Sequence, residues 1–429
     1  MGTVTTPTAQ ARVRTVLARF YENAAPGERL ASLDVLRGLT ILVMIFVNDV
    51  AGVAGAPAWM KHIQPADADG MTLADLVFPA FLFMVGMSIP FALERRLERG
   101  ASLASTWRHI LLRTVSLLVI GVFMVNTEQI SDGALLPPSL WTLLMYGGVI
   151  LVWLTPPRSW GLSPVALRAL RIAGVMLLLV LSLVYRGPNE PGLIELRPYW
   201  WGILGIIGWS YLAATSAFLL FGRESSALLG AMALLLCLYV ADEAGAFEGW
   251  LRWVDAGSVG AHGALSLAGV VLGVMLLPAS PLDSHRRRIS WALLYGLGLA
   301  TAGLLLHAAA DLHRIFIINK IFATIPFVLL TAAITIGVWI PIYCVLDAFR
   351  QRRWTVHLEH AGQNALLAYI LAPIFYAAVA LGVVLFAATN PYAALGSDAI
   401  PGILRAVVFA VAIILAAAVL RRKEYVLKL

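Results

Sequence analysis

The stretch NDVAGVAGAPAWMKHIQPADADGMTLAD, residues 48–75, puts an amide, a lysine, an imidazole and several carboxylates between two long apolar runs. Histidine is the side chain whose ordinary pKa lies near neutrality. His62 is therefore suited to take a proton from an attacking hydroxyl or amine, or to accept an acyl group. An amide such as Asn48 can orient an imidazole or donate to a developing oxyanion. Thr72 and Asp75 stand three residues apart at the head of the next apolar run, the capping-box spacing with Asp in place of the usual Glu. Asp75 thus has a structural reading as a helix cap beside its reading as a partner of the imidazole. A second polar set, Asp311, His313, Arg314, Asn319 and Lys320, precedes a later apolar run, and two such sets on one face can form one site.

Other constellations are weaker. In SLDVLRG, Asp34 and Arg37 lie three apart on one helical face, either as a salt bridge at a helix entrance or with the Arg aimed at a ligand phosphate. His357 and His360, one helical turn apart beside Arg352 and Arg353, suit phosphate and suit a solvated juxtamembrane helix equally well. No HExxH, paired CxxC or GxxxxGK phosphate loop occurs, so neither a structural metal nor a P-loop nucleotide site is expected.

The elements that must position these groups are membrane helices. Of the residues 60% are apolar and only 13% charged, with a mean hydropathy of +0.84, which places the chain outside the soluble range. Runs of about 20 apolar residues, enough to cross roughly 30 Å of hydrocarbon, recur along the whole chain. They predict spans near 33–54, 72–93, 107–126, 139–155, 167–185, 199–221, 226–241, 262–278, 290–308, 322–346, 361–387 and 401–420. The fourth and seventh are short, so the fold class expected is an all-α polytopic bundle of about 10–12 transmembrane helices. It forms a single domain over residues 31–420, with a disordered cytoplasmic tail at 1–30 and a short cytoplasmic tail at 421–429. In the second span, Pro79, Gly86 and Pro90 predict kinks and close helix contacts.

Most of the 31 Lys and Arg fall on one side if the N-terminus is inside, which makes both termini cytoplasmic and turns the His62 loop outward. The same bias explains the pI of about 9.6 through topology and anionic lipid headgroups, so nucleic acid is not an expected partner. Cys237 and Cys344 lie within apolar runs and are read as buried, inert thiols.

Read together, RLASLDVLRGLTILVMIFVN, the KH pair and DGMTLADLVFPAFLFMVGMSI resemble the heparan-alpha-glucosaminide N-acetyltransferase family of transmembrane acetyltransferases and its bacterial relatives. INKIFATIPFVLLTAAI and GQNALLAYI extend the likeness, and Asp347 and Trp354 fall where the family has an Asp and a Trp. The resemblance implies acetyl transfer from acetyl-CoA, held from the cytoplasm, to an amino sugar on the far side, in a bacterial inner membrane. It implies His62 as the catalytic residue, with Asn48 and Asp75 beside it and Asn319 and Lys320 toward the acceptor, and it carries a homodimer with it. Trp59 stands as a further candidate for the acceptor, and Arg37 and Asn364 as candidates on the donor side. The stretch PPSLWTLLMYGG departs from the family's fourth span, which leaves the donor open.

Two competing readings stand beside this one. The same site can serve O-acyl transfer to a cell-envelope glycan or lipid. A sugar or lipid transporter is the other class; it predicts repeated halves, and residues 33–185 and 262–420 show no convincing repeat.

Overall fold

In hydrocarbon every backbone N–H and C=O must be bonded within the chain, so an apolar run long enough to span becomes a helix. The computed structural model describes residues 30–131, 133–188, 193–247, 254–278, 280–386, 389–396 and 398–429. The expectation of a disordered tail falls on residues 1–29, outside the described residues. Among the described residues the helices are α1 Ala31–Val50, α2 Leu73–Glu98, α3 Leu103–Asn126, α4 Pro138–Trp153, α5 Pro164–Val184, α6 Gly202–Phe221 and α7 Ser225–Glu243. They continue with α8 Ala256–Leu276, α9 His285–His307, α10 Ile325–Tyr343, α11 Val356–Gln363, α12 Ala365–Phe386, α13 Pro391–Ala394 and α14 Ala399–Arg422. Eleven of them are long and apolar enough to cross a membrane; α4, at 16 residues, is apolar but shorter, and α11 and α13 are shorter still. The protein is an all-α, multi-pass membrane protein. The expected seventh span is a helix of 19 residues, long enough to cross.

Their starts follow the sequence. Ser102, Ser163, Asp255 and Ser284 each cap a helix by accepting a backbone N–H from the first turn. α2 runs unbroken through Pro79 and Pro90.

At the centre lies α8, 89% buried across its apolar window, packed against α2, α6, α7 and α10. Small residues make that possible. A Cβ on Gly86 would overlap the carbonyl of Ser266, and one on Gly269 the carbonyl of Phe83, so α2 and α8 touch backbone to backbone. Gly86→Val is expected to force the two helices apart at a cost of about 1–3 kcal/mol or more. In detergent its apparent Tm should fall by several degrees, while Gly298→Val, whose added Cβ meets nothing within 4 Å, should leave it unchanged. Equal melting of the two variants would show that the contact does not hold the bundle.

At the perimeter, α5, α7, α9 and α12 bury only 17–22% of their apolar windows, as helices facing lipid would. This corrects the expectation for Cys237: it sits on the outer side of α7 and is exposed, while Cys344 is half-buried, and both are free thiols. One short ladder joins distant segments, Leu154 opposite Leu427 and Thr155 opposite Val426.

Candidate functional site

The loop between α1 and α2 is irregular, and its path is fixed by its polar residues. Lys61 Nζ donates to the carbonyl of Val53 at 2.6 Å. The Thr72 hydroxyl bonds the carbonyl of Lys61. Asn319 Nδ2 donates to the carbonyls of both Ala66 and Ala68 at 2.9 Å, while its Oδ1 accepts from Phe322 N. Asp69 Oδ1 accepts from Ile318 N at 2.8 Å, and Gly70 N donates to Ile318 O at 2.7 Å. The α1–α2 loop is therefore stitched to residues 317–324, just before α10. Of the carboxylates in the loop, Asp69 belongs to that stitching, and Asp67 stays exposed.

These bonds bring His62, Asp75 and Lys320 together. Asp75 is buried at the first turn of α2 and uses its two oxygens differently. Oδ2 accepts from Thr72 N at 3.0 Å and Ile63 N at 3.2 Å, and with the Thr72 side chain it completes the capping box expected from the sequence. Oδ1 meets His62 Nδ1 at 2.7 Å. Cap and imidazole partner are thus one residue. With Nδ1–H donating to the carboxylate, the free lone pair of His62 is on Nε2, on a side chain 43% exposed.

Lys320 Nζ stands 4.0 Å from Asp75 Oδ1 and 3.4 Å from His62 Nδ1. A single Nδ1–H cannot both donate to Asp75 and accept from Lys320, so the 2.7 Å contact is the hydrogen bond and Lys320 acts through its charge. Burial draws the Lys320 ammonium below the ordinary lysine range, and the Asp75 carboxylate opposes that shift.

The other expected residues divide. Asn319 is fully buried and spends its amide on the stitching, so it acts on the site through backbone. Trp59 is 57% exposed in a 3-10 turn three residues before His62. Asn48 is exposed on the last turn of α1, with no side-chain hydrogen bond among the described residues. It shares a helical face with Met44 and Arg37, which lie four and eleven residues before it. Of the second polar set, Arg314 pairs instead with Glu243 at 2.8 Å.

At the other end of the bundle lies a cavity of about 840 Å3. Its inner wall is apolar, with Met44, Phe78, Phe81, Val85, Leu366 and Tyr369, while Arg37, Arg95, Arg96, Arg99, Arg113, Arg421 and Lys428 also line it, with no acidic residue among the described lining. Arg37 pairs with Asp34 at 3.3 Å, as the spacing predicts, and also bonds Ser88. The Nε atoms of Arg96, Arg113 and Arg421 are buried and find no hydrogen-bond partner among the described residues. Buried cationic donors left open in a wall without acidic side chains among the described lining suit an anion such as phosphate. Asn364, expected on the donor side, is buried and bonds the C-terminal segment: Nδ2 donates to Tyr425 O at 2.8 Å, and Oδ1 accepts from Leu427 N at 3.3 Å.

One helix connects the two regions. Phe78, Phe81, Val85, Ile89, Ala92 and Arg96 recur at three- and four-residue spacings along the cavity side of α2, and Asp75 stands one turn before Phe78. From Asp75 to Arg96 the helix rises roughly 30 Å at 1.5 Å per residue, about the thickness of the hydrocarbon core.

Sequence reasoning missed two features here. The arginines are scattered over α1, α2, α3 and α14 and read as topology signals; an Arg inside an apolar span, as at 113, is the signal that could have marked the cavity. His262, buried in α8, packs against Phe78 with ring centroids 5.6 Å apart and planes tilted by 54°, and bonds the Ser258 carbonyl through Nδ1. Among the described residues no group of three or more His, Cys, Asp or Glu is placed to hold a metal.

Comparison with known proteins gives two kinds of match. A family model described as a domain of unknown function, DUF5009, matches residues 29–190. The chain is also 34% identical over 122 residues to heparan-alpha-glucosaminide N-acetyltransferase of Homo sapiens, and equally to that of Mus musculus. The matched stretch is 28% of this chain and spans 17% of the length of either relative.

Proposed function

We propose, on the premise that this chain is related to the heparan-alpha-glucosaminide N-acetyltransferase family, that it is a transmembrane acetyltransferase. In this reading it moves an acetyl group from acetyl-CoA on the arginine side to an amino sugar or related glycan on the His62 side. The observation that carries the reading is α2, which joins a cationic cavity to an Asp–His pair across one membrane thickness. The positive-inside bias makes the arginine side cytoplasmic and, for a bacterial member, the membrane the inner one.

The residues fit the donor. Arg37, Arg96, Arg113 and Arg421 would hold its phosphates, and the apolar wall from Leu366 to Phe78 suits a pantetheine arm. The donor supplies the acyl group as a thioester. At the other end His62 Nε2 takes the proton from the acceptor amine as the nitrogen attacks the thioester carbon. The C–S bond then breaks, and the proton passes to the departing sulfur. Asp75 Oδ1 fixes the tautomer that leaves Nε2 free and stabilises the imidazolium once it forms. The Lys320 ammonium, little solvated, faces the negative charge that builds on the carbonyl oxygen. Asn48, exposed on the cavity face of α1, is the amide placed to meet the same oxygen or the acceptor, and Trp59 offers a ring face to a sugar.

Arg113→Ala is expected to raise KM for acetyl-CoA roughly tenfold with kcat nearly unchanged, because it removes binding shared by ground and transition states. A kcat loss at constant KM would place Arg113 away from the donor phosphates. The reading as a whole is tested by incubating purified protein in nanodiscs with labelled acetyl-CoA and a panel of amino sugars and envelope glycans. Label transfer to glucosamine is the expected result. Transfer only to hydroxyl acceptors would replace the acceptor class with an O-linked one, and absence of acetyl-CoA binding would remove the acyltransferase reading.

A further inference from the structure

The last described residues turn back onto the bundle. After α14 the backbone reverses at Glu424, whose φ is 66°. Val426 and Leu427 then pair with the two residues that follow α4, and Lys428 N donates to Trp153 O at 3.0 Å. A ladder of two residues is too short to hold by itself, and other contacts supplement it. The Tyr425 ring meets Trp160 edge-on at 5.7 Å, and Glu424 accepts from Arg158 N at 3.3 Å. Asn364, buried at the junction of α11 and α12, grips the backbone on both sides of Val426. The held segment is a wall of the arginine cavity: Val426, Leu427 and Lys428 all line it, Leu427 buried and Lys428 exposed.

We propose that this strap is a donor-binding determinant, in which Asn364 is the positioning residue and Lys428 supplies a cation to a phosphate of the CoA nucleotide. The inference rests on the reading of the cavity as an acyl-CoA site. It follows from chemistry at the cavity rim. The Lys428 ammonium adds to a set of cations with no acidic side chain among the described lining, and its exposure places it where the charged, hydrophilic part of such a ligand would lie while the apolar wall takes the arm. Asn364 touches no ligand in this scheme. Its amide fixes the backbone on which Lys428 is carried.

The test is CoA binding to the full-length protein in nanodiscs, by titration calorimetry. Lys428→Ala is expected to raise Kd roughly tenfold, the size of one charge-assisted hydrogen bond at a partly exposed site, and Lys428→Arg to restore it. Asn364→Ala is expected to weaken binding at least as much. Combining Asn364→Ala with Lys428→Ala should add little, because both act through one contact. Additive losses would overturn the positioning role of Asn364. Wild-type affinity in Lys428→Ala would overturn the strap as a determinant, whether or not the Asn364 variant folds. If the wild-type protein fails to bind CoA, the donor reading falls and the strap's role falls with it.

Discussion

Replacing His62 by alanine is expected to lower the rate of acetyl transfer by roughly 10²–10⁴-fold, the contribution of a positioned general base, while CoA binding stays at the wild-type level. The separation follows from geometry. His62 lies on a loop at the far end of α2 from the arginines, so its loss leaves the arginine cavity as it was. The fold should also survive, since the Asp75 cap and the Asn319 stitching use other atoms. The measurement is single-turnover transfer of labelled acetyl at saturating donor. A folded His62→Ala protein that binds CoA and transfers at the wild-type rate would remove His62 from the chemistry.

Asp75→Asn is expected to lower the rate by a similar factor through a different cause. Oδ2 of Asp75 receives the backbone N–H groups of Thr72 and Ile63. An asparagine keeps that arrangement only with its oxygen toward them, which turns its NH2 toward His62 Nδ1. The imidazole must then accept at Nδ1 and carry its proton on Nε2, and the lone pair that takes the acceptor's proton is gone. The flipped amide restores the tautomer at the cost of pointing NH2 at two donors. Stability should change little in Asp75→Asn and fall clearly in Asp75→Ala, which loses the cap as well. If Asp75→Asn kept a wild-type rate, Asp75 would be a cap alone.

How much of this was legible varies with the range of the interactions. Helix positions were readable because length and apolarity alone make a run of about 20 residues a span. Even the capping box at Thr72 and Asp75 is a local pattern, and the structure contains it. The pairing of His62 with Asp75 was foreseeable only as a possibility. The residues that lead from His62 to the start of α2 are irregular, and their path is set by Asn319, more than 240 positions away. Asn319 and Asn364 were expected to touch ligands. Their side chains instead bind backbone, a role that residue type cannot distinguish from ligand contact. The arginine cavity was hidden because its arginines are distributed over four helices and each serves a topological signal equally well. Cys237 shows the opposite limit, since an apolar run does not tell a helix that faces protein from one that faces lipid.

The stitching of the α1–α2 loop to residues 317–324 has a consequence for biosynthesis. Spans enter the membrane in order, so α1 and α2 are in place long before the segment ahead of α10 leaves the ribosome. Until it does, the carbonyls of Ala66 and Ala68 lack their partner, Asp69 has no Ile318 to bind, and Lys320 is absent from the Asp75 carboxylate. A half-made chain therefore has its imidazole but not the frame that aims it. On the proposed function the site is complete only with the later spans, which makes the assembled bundle the smallest unit expected to act.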